Sequence, residues 1–300
     1  MRGEGGLQYR TVAELVALAR QQGETIGKTV FTQEVQAGGR TQTEVFAEME
    51  KSLLVMEQAV EKGINEALTS RSGLTGGDAK RLQDYAREGK SLCRGIVFDA
   101  VNYALAVSEV NAAMGLIVAT PTAGSSGVLP GSVLAAGRHL GCSREQMVYA
   151  LFNAGGIGYV IANNATISGA AGGCQAEIGA AAAMAASAVA ELAGGSPEQS
   201  AHAAAIALKN LLGLVCDPVA GLVEVPCVKR NSMGAAISIV AADMALAGIT
   251  SVIPCDEVIE AMFKIGTMLP VCLRETSLAG LATTPTGLEL GQKINAKDQA

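Results

Sequence analysis

The sequence predicts an all-α fold: one predominantly helical domain over residues 1–300, broken by glycine-rich loops. Three observations carry this reading. Aromatic residues make up 3% of the chain and tryptophan is absent, whereas β-sandwiches and barrels lean on aromatic and β-branched side chains. Alanine, leucine and methionine fill the long apolar runs, and alanine both favours helix and lets helices pack closely. Helix-start signatures also recur along the chain.

The elements follow in order. Thr11 with Glu14 makes a capping box that opens a helix to about residue 20. Residues 43–62 form a longer helix, because Val45, Met49, Leu53, Met56 and Val60 recur at helical spacing. A glycine-rich turn occupies 72–78, and Asp78 is expected to cap the helix that runs through Tyr85. Helices follow at 97–113 and 131–140, then from Ser143 with Gln146 to about residue 161. The apolar run 178–192 is bounded by Glu177 and Glu191 and reads as a buried central helix. Ser196-Pro197-Glu198-Gln199 opens the next helix, with an N-cap serine, proline at the first position and glutamine at the third. Helices at 231–247 and 256–268 complete the set. The best strand candidate is 222–225, cut short by Pro226. The more charged residues 1–65 are expected to form a peripheral helical layer, and 283–300 an exposed tail.

Composition narrows the function. A net charge of −6 excludes nucleic acid as a partner, because phosphate neutralisation needs a basic face. Mean hydropathy is high at +0.32, yet no stretch reaches the ~18 uninterrupted apolar residues of a membrane span. Arg2 and Glu4 without an apolar core do not make an export signal, so a cytoplasmic location is expected. The seven cysteines are then reduced thiols, each a small core hydrophobe or a metal ligand.

Four polar, glycine-rich segments interrupt the apolar helices. They are 72–78, 120–127, 163–177 and 216–231. Glycine lets backbone approach a ligand, while Ser, Thr and Asn supply hydrogen bonds. Candidate substrate contacts are Thr75, Gly76, Gly77, Asp78, Thr122, Gly124, Asn163, Asn164, Ser168 and Arg230. Cys174, Cys216 and Cys227 lie inside these segments; the other four cysteines do not. The three are either core filler or a ligand set. Zinc is disfavoured, since closely spaced Cys or His pairs are missing. Three thiolates without a fourth suit a [4Fe–4S] cluster with one open iron, a Lewis acid able to bind a substrate hydroxyl. His139 and His202 lie outside the polar segments and read as structural.

At these residues the chain resembles the α chain of two-subunit, iron–sulfur-dependent L-serine dehydratases. The matching stretches are SGLTGGDA (72–79), EVNAAMG (109–115), TPTAGSSGVLPG (120–131), NNATISGAAGGCQAEIG (163–179), LGLVCDPVAGLVEVPCVKRN (212–231), ADMALAGI (242–249), IPCDEVIEAM (253–262) and LRET (273–276). The resemblance implies a catalytic, all-helical subunit in which Cys174, Cys216 and Cys227 hold a [4Fe–4S] cluster. It implies α,β-elimination of water from L-serine, giving aminoacrylate and then pyruvate and ammonia, without pyridoxal phosphate. It also implies a separate β chain in an αβ heterodimer or higher oligomer. Two departures bear on the chemistry. The final residues carry no cysteine to occupy an open iron, as one does in single-chain relatives. The Ser-Ser-Ser-His motif of those relatives is missing here, so the base is either non-histidine or supplied by the β chain. Ser125, Ser126 and Lys229 are this chain's own candidates, with Asp217 expected to orient Lys229 or to take part in an interchain contact. A cysteine desulfidase-like lyase and a non-catalytic scaffold are the alternative readings.

Overall fold

A computed structural model describes residues 7–298. Among these residues the chain forms thirteen α-helices and no strand, as the composition predicts. They are α1 (Val12–Gln22), α2 (Ile26–Gly38), α3 (Gln42–Asn65), α4 (Asp78–Arg87), α5 (Gly95–Ala112), α6 (Val128–Leu140), α7 (Arg144–Asn164), α8 (Gly169–Gly172), α9 (Ala180–Leu192), α10 (Pro197–Lys209), α11 (Cys227–Leu246), α12 (Cys255–Met268) and α13 (Pro285–Asp298).

The alanine-rich α9 is the axis of the molecule. Every residue from Ala180 to Ala190 is buried. It is walled by α6, α7, α10 and α11. Side chains this small allow close helix approach, and the central polar groups are paired: Ser187 Oγ donates to Asn153 Oδ1 at 2.7 Å. Around this centre α5 packs on α3, α4, α6 and α11, and α2 packs on α7. At the α3–α5 crossing a Cβ on Gly63 would fall 2.5 Å from Ala106 Cα, so only glycine permits that contact. Leu15 of α1, Val30 of α2 and Leu53 of α3 bury themselves in the same apolar cluster as α9.

The capping boxes at Thr11, Ser143 and Ser196 form with both reciprocal hydrogen bonds. Several boundaries differ from the sequence expectation. Residues 26–38 are helical, opened by Thr25, whose side chain accepts from Lys28 N–H. Helix α6 begins at Val128 and α11 at Cys227, each three or four residues early. Asp78 is not a cap: Gly77, left-handed at φ +71°, holds that position, and Glu109 caps the helix from α5. Residues 222–225 form no strand; the chain there turns tightly into α11. The tail is largely α13, which buries Ile294 while leaving Leu288 exposed. The two histidines have structural partners. His139 Nε2 lies 2.9 Å from Asp99 Oδ2, and His202 Nδ1 accepts from Ser251 N–H.

Candidate active site

The polar segments converge at the ends of the central helices. After α7 the chain passes through α8 and a left-handed Gly173, φ +78°, into a π-helical turn at Gln175–Gly179. Such turns re-aim side chains within a helical run. Gln175, fully buried, fixes this one. Its amide donates to Gly172 O and Met262 O and accepts from Gly213 N–H. Cys216 is set by an isolated parallel bridge to Arg274, with Cys216 N–H donating to Leu273 O and Glu275 N–H donating to Cys216 O.

This geometry brings Cys174, Cys216 and the side chain of Glu177 together. Their ligating atoms lie within 4.8 Å of one another, and all seven cysteines are free. Cys227 opens α11, is buried, and feels the charges of Cys174, Glu177 and Arg230, but stands outside that trio. Gly124 and Gly169 make room: a Cβ on Gly169 would meet Glu177 Oε2 at 2.5 Å and Cys216 Sγ at 3.1 Å. Thr122 Oγ1 donates to Glu177 Oε1 at 2.7 Å. Asn231 joins two segments, accepting from Gly127 N–H and donating to Gly124 O.

The thiols are electrically unequal. The hydrogen bond from Cys216, helped by the Arg230 charge, lowers Cys174 despite its burial. The same bond and burial raise Cys216, and burial pushes Cys227 up to about 12. Burial also raises Glu177 toward its neutral form, against the Thr122 hydrogen bond. Three buried sulfurs beside a guanidinium suit a soft, thiolate-bound metal group, and the glycines leave no Cβ where it would sit. Cys174, Cys216 and Glu177 are the residues whose ligating atoms meet closely enough to hold one metal ion.

The remaining candidates divide. Ser125 Oγ donates to Thr120 O at 3.1 Å, and Ser126 Oγ is buried with no partner. Arg230 donates to Val215 O and Asp217 Oδ1, while Lys229 pairs with Asp78. Asp217 therefore orients Arg230, not Lys229. Gly76 adopts φ +142° where a Cβ would fall 2.2 Å from Leu68 O. Thr75 and Ser72 both donate to the buried Glu224. Asn163 and Asn164 point elsewhere, bonding to Tyr159 O and to Arg10 O respectively, and Ser168 is exposed. The sequence reading passed over Glu177, Glu109 and Glu224. Glu177 carried a signal, as the acidic residue three positions after Cys174 in a run of glycines.

A family profile described as serine dehydratase alpha chain matches residues 21–282. The chain belongs to this family. The chain is an enzyme of the L-serine dehydratase class. A protein of Bacillus subtilis named "Probable L-serine dehydratase, alpha chain" is 59% identical over 286 residues, covering 95% of each chain. The "L-serine dehydratase, alpha chain" of Peptoniphilus asaccharolyticus is 42% identical, over 95% of this chain and 96% of that one. The "L-serine dehydratase" of Streptomyces coelicolor is 38% identical over 91% of this chain but only 60% of its own length. Among the described residues, no helix is long and apolar enough to cross a membrane.

Proposed function

We propose that this chain is the catalytic α subunit of a cytoplasmic L-serine dehydratase, a single helical domain that forms pyruvate and ammonia with a β chain. The names of its relatives support the substrate and the division into chains. The meeting of Cys174, Cys216 and Glu177 is the observation that carries the reading for this molecule. When bound by Cys174, Cys216 and Cys227, a [4Fe–4S] cluster supplies an open iron, a Lewis acid for the substrate's hydroxyl and carboxylate.

The chain's own residues do the rest. Arg230, held by Asp217 and Val215 O, supplies fixed positive charge beside Cys174. These two hydrogen bonds leave it further N–H donors for the substrate carboxylate. Glu177, favoured as the neutral acid by burial, protonates the leaving hydroxyl. Loss of water and of the α-proton leaves aminoacrylate, which becomes the imine and hydrolyses to pyruvate and ammonia. The α-proton goes to a base from the β chain. Lys229 is taken up by its salt bridge to Asp78, Ser125 is committed to Thr120 O, and Ser126 Oγ is buried with no partner. Thr75, Gly76, Gly77, Asp78, Thr122 and Gly124 shape the walls around the substrate.

Anaerobic co-expression with the β chain tests this. Iron and sulfide per chain are measured beside pyruvate formation from L-serine and sulfide release from L-cysteine. The expected result is about four irons with serine-dependent pyruvate. Iron with sulfide release alone would favour a cysteine lyase. Iron-free, inactive protein would favour a scaffold.

A further inference from the structure

A second cavity lies away from the cysteines, between the segment before α1 and helices α2, α3 and α7. It encloses about 340 Å³, within the range of small-molecule sites. Its inner wall is apolar, with Val30, Met49 and Phe152. Its edge is charged. Arg40 pairs with Glu48 and lies 3.8 Å from Glu34, so two carboxylates share one guanidinium. One negative charge is left over.

Tyr9 lines the cavity at 1% exposure, and its hydroxyl has no hydrogen-bond partner. The charge of Glu34 acts on this hydroxyl. The Tyr9 and Tyr159 rings stand edge to face, centroids 5.7 Å apart. Gly155 completes the wall, and a Cβ there would meet nothing within 4 Å.

We propose that this cavity binds a small organic ammonium, its nitrogen between Glu34 and the Tyr9 hydroxyl and its apolar body against Val30, Met49 and Phe152. A cation answers the surplus carboxylate, and aromatic rings attract cations where they repel anions. The same nitrogen gives the buried Tyr9 oxygen the partner it lacks. Two sources share this head group: a free alkylamine, and an α-amino acid whose carboxylate turns toward Arg40.

Calorimetric titration of the anaerobically purified enzyme tests the site. The probes are n-butylammonium, norvaline and, as neutral comparison, n-butanol. The tighter of the two amines is expected to bind at least about tenfold more tightly than butanol. Glu34→Gln and Gly155→Leu are each expected to weaken it at least about fivefold. Gly155→Leu adds a side chain to the cavity wall at a position where a Cβ meets nothing within 4 Å, and it replaces a helix-interior glycine, so its Tm is expected to rise. The preference between norvaline and butylammonium assigns the source. No binding at about 20 mM, equal affinity for amine and alcohol, or full-strength binding in either variant overturns the proposal.

Discussion

Lys229 and Asp78 stand 151 positions apart, yet their side chains form a salt bridge that ties the first turn of α11 to the first turn of α4. Asp78 also pairs with Arg81, and these two hydrogen bonds outweigh burial to hold its carboxyl below the usual range. The turn at 72–78 is thereby anchored to the helix that begins with Cys227. Lys229 is half exposed, so the pair contributes at most about 1 kcal/mol to stability. Lys229→Met is expected to leave urea unfolding nearly unchanged while lowering pyruvate formation about tenfold. A stability loss as large as the activity loss would point to a purely structural tie.

Glu177→Gln keeps shape and the bond from Thr122 but removes the acid. Turnover is expected to fall about 100- to 1,000-fold with the iron content and KM unchanged. Iron lost along with activity would make Glu177 a ligand instead.

The cysteines differ in a way that iron analysis reads directly. Cys227 is buried at the start of α11, whereas Cys93 is exposed. Cys227→Ser is expected to abolish the visible absorption and iron of the purified enzyme. Cys93→Ser is expected to leave both intact.

Glu191 predicts a pH dependence of stability. It is half-buried near the end of α9, accepting from Gly27 N–H and Asn153 Nδ2, and desolvation raises its pKa above the usual carboxylate range. A group raised on folding contributes stability that is fully present below its unfolded pKa and lost as pH rises through the folded value. The free energy of unfolding should therefore decline from the ordinary carboxylate range upward. In Glu191→Gln that decline should be flatter, measured by urea unfolding across the pH series.

Gly76 gives a backbone prediction. Its φ of +142° and the close Leu68 carbonyl leave no space for a Cβ. Gly76→Ala is expected to cost about 1–3 kcal/mol and to loosen the 72–78 turn, read by unfolding and by hydrogen exchange at Asp78 and Ala79.

Local sequence by itself determined most of the helices, because their signals are local. The capping boxes at Thr11, Ser143 and Ser196 need only residues three positions apart, and the alanine run of α9 carries its burial in its own composition. It also marked the polar segments that hold Cys174, Cys216 and Cys227. Only the tertiary structure decided which of those residues meet. Asp217 holds Arg230 and not Lys229, Glu109 reaches across from α5 to cap α4, and Asn163 and Asn164 turn away from the cysteines. Glu177 joins Cys174 and Cys216 because a π-helical turn and two glycines aim it there. Helix propensity acts over a few residues, whereas a site is fixed by contacts between different elements, from 13 positions apart for Asp217 and Arg230 to 151 for Asp78 and Lys229, and these form only when the helices pack.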